Sequence, residues 1–392
     1  MKDFSRLLLV LMGWTTACLA PAQSWLLVDG TTNTGWPDIT SSADGSKLAA
    51  AGYNGTYGIY LSTNAGATWL SSSAPNMYWS SLASSADGTK LAAAAYPQVY
   101  TSTNSGASWL SKNMPGAYTW TAIASSADGS KLIAAAGYYS GPVCVSTNSG
   151  DTWLQTSAPL TNWCAVASSA DGNVLLAAVS FGPVYLSTNS GSTWVKQDYL
   201  PDALWTTMAT SADGKILLAV ASWVGSGSGC IYRSTNSGNA WIQVNAPTNR
   251  HWMTFCVSAD GTKMAAIEDR LFAYSTNSGK AWVSNTPPRL STKWGGLASS
   301  ADGNKLVLAA NNPGGIYLLQ TPPVPKLNLE TAGTNLKLSW IVPATDFVPQ
   351  RSADLAGWSD VTNVPVLNLT NLQNEVFLPP TGNSSFYRLK TP

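Results

Sequence analysis

Outside its repeated segments, the stretch 23–320 carries seven acids: Asp29, Asp38, Asp151, Asp198, Asp202, Glu268 and Asp269. Two carboxyls roughly 5 to 10 Å apart across a scissile bond suffice to hydrolyse a glycoside, one as acid and the other as base or nucleophile. Asp38, Asp202, Glu268 and Asp269 are the candidates for such a pair, with His251 and Arg270 near them in sequence. Ordinary solvated loop charge is the competing account of the same residues, and the weightier one. No GxSxG, HExxH, phosphate-binding or dinucleotide-binding motif is present, so nothing nominates a cofactor. Cys144, Cys164, Cys230 and Cys256 form no CxxC pair and have one His in the whole chain beside them, which speaks against a structural zinc site. Their registers do not recur, so four small buried residues are expected in preference to two disulfides.

A second class of side chain offers recognition chemistry. Tyr53, Tyr57, Tyr96, Tyr138, Tyr139, Phe181 and Trp223, joined by Arg270 as ligand-binding candidates, fall in short variable segments, many with Gly or Pro nearby. Aromatic rings with a polar edge suit stacking against sugar rings or an extended peptide. With 21 Lys+Arg against 20 Asp+Glu, the chain has no surplus positive charge to neutralise phosphates, which excludes a nucleic-acid binder.

These residues are set in a repeat. The tetrapeptide SADG recurs with its Asp at Asp44, Asp87, Asp128, Asp171, Asp213, Asp260 and Asp302, and a Trp stands eight residues before each. A small-residue run such as Leu48-Ala49-Ala50-Ala51 follows, then a variable loop, an apolar strand and the octapeptide STNxGxxW, present six times. Each unit reads as four short strands, A to D, with Asp-Gly closing the A–B hairpin because Gly tolerates positive φ. Repeats of roughly 40 to 45 residues with this pattern predict an all-β, seven-bladed β-propeller. The last unit lacks strand D, while Ser24-Trp25-Leu26-Leu27 is an orphan strand D at the start, so the two ends are expected to complete one blade and leave no open edge.

The octapeptide, for example Ser62-Thr63-Asn64-Ala65-Gly66-Ala67-Thr68-Trp69, resembles the Asp-box or BNR repeat, S-x-D-x-G-x-T-W. That repeat occurs in sialidases, photosystem II assembly factors, sortilin-type receptors and several glycoside hydrolases. The resemblance spans about residues 24 to 320 and implies a propeller in which the box is a folding element on the face away from any active site. All six copies depart from it alike, with Asn64, Asn104, Asn148, Asn189, Asn236 and Asn277 in the Asp position. Asn still accepts a backbone N–H in an Asx-turn, so the turn is expected to survive without the charge. A sialidase, by the same resemblance, needs an Arg triad with one member in the first blade. Arg233, Arg250, Arg270 and Arg289 leave the first four repeats without any, so sialidase activity is not expected.

In a propeller the D–A and B–C loops share one face. The variable aromatics and the candidate acids therefore collect there, beside the Trp that opens each strand A. Repetition of that Trp at every unit argues that it packs as core and that the loop aromatics are the ligand candidates.

At the N-terminus, Lys2 and Arg6, the apolar run Leu7–Leu19 and Ala20-Pro21-Ala22 have the pattern of a secretory signal peptide over 1–22. No later run is long enough for a transmembrane helix. The domains expected are the signal peptide, the propeller over 23–320, a Pro-rich linker over 321–326 and a small β-sandwich over 327–392, the last similar to a short module that ends many exported bacterial proteins. These features together suggest a secreted or cell-surface monomer that binds a glycan or an extracellular protein without catalysis or cofactor, with a glycoside hydrolase or lyase as the alternative.

Overall fold

The computed structural model describes residues 25–320 and 327–390, apart from 29, 33, 54–56, 226, 228, 248–250, 287–292, 313, 333–334, 342–347, 354–356, 369–372 and 380–384. The expected signal peptide and linker lie outside the described residues.

Among the described residues between Trp25 and Gln320 there are seven four-stranded antiparallel sheets, each in the order A-B-C-D. The A strands are Gly35–Ser41, Trp79–Ser84, Thr119–Ser125, Trp163–Ser168, Ala203–Thr210, Thr254–Val257 and Lys293–Ser299. Each packs against the A strand of the next sheet and the seventh against the first, so the sheets surround a central axis as in a β-propeller. The D strands are only two or three residues long, beginning one residue after the octapeptide Trp. The seventh sheet takes its D strand from the chain start, with Trp25, Leu26 and Leu27 opposite Leu319, Leu318 and Tyr317.

Small residues dominate the B strands because sheets stack on both of their faces, so neither face may alternate to polar. Leu91–Ala95, Leu132–Gly137 and Leu175–Val179 are buried at every position. Core clusters therefore straddle sheet boundaries: Ile133, Ala135 and Val143 of the third sheet pack with Trp163, Leu175 and Ala177 of the fourth.

The two recurrent turns explain their own sequences. In SADG, the Asp44 carboxylate accepts from the Ser42 and Ser46 hydroxyls and the Ser46 N–H, while Gly45 sits at φ +69°. The alanine has a separate task. Ala43 N–H donates to Ala86 O, Ala86 to Ala127, Ala127 to Ala170, Ala170 to Ala212, Ala212 to Ala259, Ala259 to Ala301, and Ala301 back to Ala43, all at 2.7 to 2.9 Å. A larger side chain beside this axial ring would crowd six others. In the octapeptide, Asn64 Oδ1 accepts from Ser62 Oγ and Thr68 N, and its amide donates to Thr68 Oγ1. Ala65 and Gly66 carry the chain through at φ +56° and +89°. Asn thus fills the turn role expected of it.

The C-terminal residues form two further sheets. One contains Asn328–Ala332, Asn335–Ile341, Gln373–Leu378 and Val366–Asn368, the other Ser359–Asp360, Val348–Ser352 and Phe386–Lys390. Leu338, Trp340, Val376 and Leu378 of the first are buried with Tyr387 and Leu389 of the second packed on them, the arrangement of a small β-sandwich. Among the described residues no helix is long and apolar enough to cross a membrane.

Candidate functional site

The B–C and D–A connections meet on one side of the ring. Gly141, in the third B–C loop, exchanges backbone hydrogen bonds with Thr161 in the connection to the fourth sheet, and Gly182 O accepts the N–H of Ala203 at the next boundary. The strand-opening tryptophans lock these connections. In four of them Nε1 donates to the B–C carbonyl of the preceding sheet: Trp120 to Pro97, Trp163 to Gly141, Trp205 to Gly182 and Trp294 to Glu268, while Trp36 donates to Thr31 O. All seven of these indoles are 4 % exposed or less. They are core, and no ring of indoles surrounds the channel mouth.

The loop aromatics are disposed differently. Tyr57, Tyr96, Tyr138, Tyr139, Phe181 and Trp223 are exposed, Tyr139 at 86 %. Tyr138 and Phe181 sit on left-handed backbone at φ +66° and +55°, a conformation that costs a bulky residue of order 1 kcal/mol or more. Tyr53 is half-buried and groups with Tyr57 and Tyr78, ring centroids 5.0 to 6.2 Å apart. Its hydroxyl is held above the usual phenol range, by burial first and then by Tyr78 and Tyr57. Tyr78 escapes a reading confined to B–C loops because it precedes Trp79 in a D–A connection. Trp223 belongs to strand Leu217–Val224, opposite Leu204, and stacks on His251 at 5.3 Å with 25° between planes. Its indole N–H donates to Gly225 O, and His251 Nδ1 lies 3.0 Å from Ser222 O.

The four candidate carboxylates lie on three sheets. Asp202 is exposed just before the fifth A strand, and Arg270 is exposed in the turn after strand Met264–Ile267. Glu268 in that turn is buried, its backbone N–H donating to Leu271 O and its carbonyl accepting the Trp294 indole N–H. Asp269 beside it is half-buried. Asp38 alone of the four enters the wall of the axial cavity, a space of about 260 Å³ bounded by all seven A-strand segments. A second cavity of about 190 Å³, lined by the ends of the A strands and the SADG turns, lies toward the opposite end.

Asp38 owes its position to a β-bulge. In six sheets the A–B register shifts just after the opening Trp, which turns the following residues toward the axis and the next sheet. Thr121 Oγ1 and Cys164 Sγ use that turn to reach the next sheet's Trp carbonyl, at 2.9 and 3.4 Å. Asp38 Oδ2 accepts the N–H of Leu82 across the first boundary at 2.7 Å, and Oδ1 accepts that of Ile39 at 2.8 Å. Desolvation outweighs these bonds and raises the Asp38 carboxyl to about 6. The consequence for stability has a definite sign. An acid whose folded-state pKa is raised binds more protons folded than unfolded between its unfolded value, near 4, and about 6, so folding is penalised progressively as pH rises through that window. Replacing Asp38 by Ser is expected to remove a pH-dependent loss of about 2 kcal/mol between pH 4 and 7, read from urea denaturation at each pH. An identical pH profile for both proteins would show that the carboxyl is not so perturbed.

The four cysteines form no disulfide with one another and stand on separate sheets. Burial pushes the Cys144 and Cys164 thiols up to about 12, away from nucleophilic chemistry. Among the described residues no three His, Cys, Asp or Glu side chains converge as metal ligands.

No protein-family model matches the chain. No curated protein matches it by sequence. Solved structures do. The GH74 xyloglucanase from Xanthomonas campestris aligns at 14 % identity with a TM-score of 0.60, over 81 % of this chain and 59 % of the xyloglucanase. The chain thus spans well under two thirds of that enzyme. The GH74 enzyme of Niastella koreensis aligns at 13 % identity and TM-score 0.60, over 93 % and 72 % of the two chains. YCF48 bound to a D1 peptide aligns at 13 % and 0.54, over 77 % and 97 %. At these identities the likeness shows the β-propeller fold alone.

Proposed function

We propose that this chain is a non-catalytic binding or scaffold protein that presents the aromatic loop face of a propeller to a glycan or protein ligand. In this reading each four-stranded sheet is one blade, giving seven, and the octapeptides are degenerate Asp-box repeats. Residues 1–22 direct export, 321–326 form a linker, and 327–392 are a separate module on a monomeric chain. The observation that carries the reading is the division of aromatic residues: the repeated indoles are buried, while the variable Tyr, Phe and Trp side chains are exposed on the loop side, two of them on strained backbone. Strain held at exposed aromatic positions is a feature of binding surfaces. Both sorts of structural neighbour, a xyloglucanase and a peptide-bound protein, are compatible with it.

The alternative, a glycoside hydrolase or lyase, needs two of Asp38, Asp202, Glu268 and Asp269 to act as a pair. Their distribution over three sheets, with Glu268 buried in a turn, favours binding over catalysis. Calorimetric titration with xyloglucan oligosaccharides and with a peptide library tests the two together. The expected result is saturable binding of one ligand class, weakened about tenfold by Tyr57→Ala with Tyr78→Ala, a loss of about 1.4 kcal/mol, and no release of reducing sugar. Sugar release abolished by Asp38→Asn or Glu268→Gln would establish the hydrolase instead.

A further inference from the structure

We propose that the axial cavity walled by Asp38 is a binding site for a primary ammonium group. It goes beyond the loop-face reading and does not depend on it. The cavity takes in residues from every A-strand segment, and Asp38 is the one charged side chain among the described residues that wall it. No Lys, Arg or His faces the carboxylate there. The position two residues after the opening Trp is Ser81, Thr207 and Thr254 in three other sheets and Ala or Gly in the rest, so a single negative charge stands among hydroxyls.

Across the boundary with the seventh sheet, Gly296 is the residue that leaves room for the carboxylate, since a Cβ there would lie 2.8 Å from Asp38 Oδ1. A desolvated carboxylate without a protein countercharge favours a cation. Its two oxygens already accept the Leu82 and Ile39 N–H groups and the Ser81 hydroxyl, and a single carboxylate is too little charge for a divalent ion but retains a lone pair for one ammonium proton. Hydroxyls of Ser81, Thr207 and Thr254 supply acceptors for the others, and about 260 Å³ admits a short alkyl chain behind the nitrogen. The raised carboxyl makes protons competitors, so occupancy falls as pH drops below about 6.

The test uses n-propylammonium chloride, with sodium chloride and tetramethylammonium chloride at equal ionic strength, on the full chain at pH 8. Propylammonium is expected to raise Tm by about 2 °C in the wild type and not in Asp38→Ser. Ser is chosen because Ser81 already accepts Ile123 N–H at the next boundary, so the variant retains that kind of staple. An equal response in Asp38→Ser, or an equal response of the wild type to sodium or tetramethylammonium, overturns the proposal. Should the variant fail to fold, the wild type at pH 5 decides: loss of the propylammonium response supports the site, and an undiminished response overturns it.

Discussion

Trp163→Ala is expected to cost about 4 kcal/mol of folding stability, in the range measured for large aromatic residues removed from cores, whereas Trp223→Ala costs less than about 1 kcal/mol. Trp163 is fully buried, packs edge-on to Tyr185 at 5.5 Å and belongs to the cluster joining the third and fourth sheets. Its indole N–H holds Gly141 O, and its carbonyl accepts Thr121 Oγ1 at 2.9 Å. Alanine leaves a cavity between two sheets that cannot collapse, because their A strands are fixed by the axial hydrogen-bond ring, and it orphans the Gly141 carbonyl. Trp223 is 41 % exposed, and its hydrogen bond runs to its own turn. Guanidinium denaturation of both variants checks the contrast. Equal losses would mean that the division into core indoles and exposed loop aromatics is wrong, and with it the basis for the binding face.

That division marks how far the sequence carries. The repeats give the strand order because they are local: Asp-Gly sets the A–B turn, the octapeptide sets the C–D turn, and the orphan strand at Trp25 closes on Gly314–Gln320 as its composition requires. Strand limits shift where packing extends them. Tyr53 ends strand Leu48–Tyr53 and pairs with Tyr57 at the start of Tyr57–Ser62, so neither lies in the loop itself, and Trp223 continues its B strand. What single-chain periodicity does not contain is the direction a residue takes after a bulge. Asp38 follows Trp36 by two residues, as Ser81 follows Trp79, yet only the register shift between Gly35 and Asp38 brings it to the axial cavity and the Leu82 amide. Likewise Tyr78 joins Tyr53 and Tyr57 from another sheet, and His251 reaches Trp223 across a boundary. Contacts between sheets are set by the ring's curvature, a global quantity, and the sites with candidate chemistry are made of such contacts.

Ring closure itself rests on a glycine in the seventh A strand, at a position where the other A strands carry a side chain. Gly295→Ala is expected to destabilise the fold by about 4 kcal/mol, above the roughly 1 to 3 kcal/mol usual for overpacking. A Cβ at Gly295 would stand 1.8 Å from Trp36 O and within 3 Å of Pro37 C, and these are backbone atoms that no rotamer change removes. Elsewhere the residue after the opening Trp is Pro37, Ser80, Thr121, Cys164, Thr206 or Met253, all with side chains, whereas at Gly295 the backbone of the first A strand occupies the space a side chain would need. Relief requires the seam to open, which strains the Ala301-to-Ala43 link and the Lys305 ammonium bond to Asp44 O that close the circle. Gly227→Ala, with nothing within 4 Å of its added methyl, is the control and should stay within about 0.5 kcal/mol of wild type. Thermal and denaturant unfolding give the energies, and hydrogen exchange at the Ala301 amide, compared with Ala127 and Ala170, locates the loss. Faster exchange confined to Ala301 is the expected pattern. Stability within about 1 kcal/mol of wild type for Gly295→Ala would show that the two strands do not meet this closely, and would also remove the tight flank that places Gly296 beside Asp38.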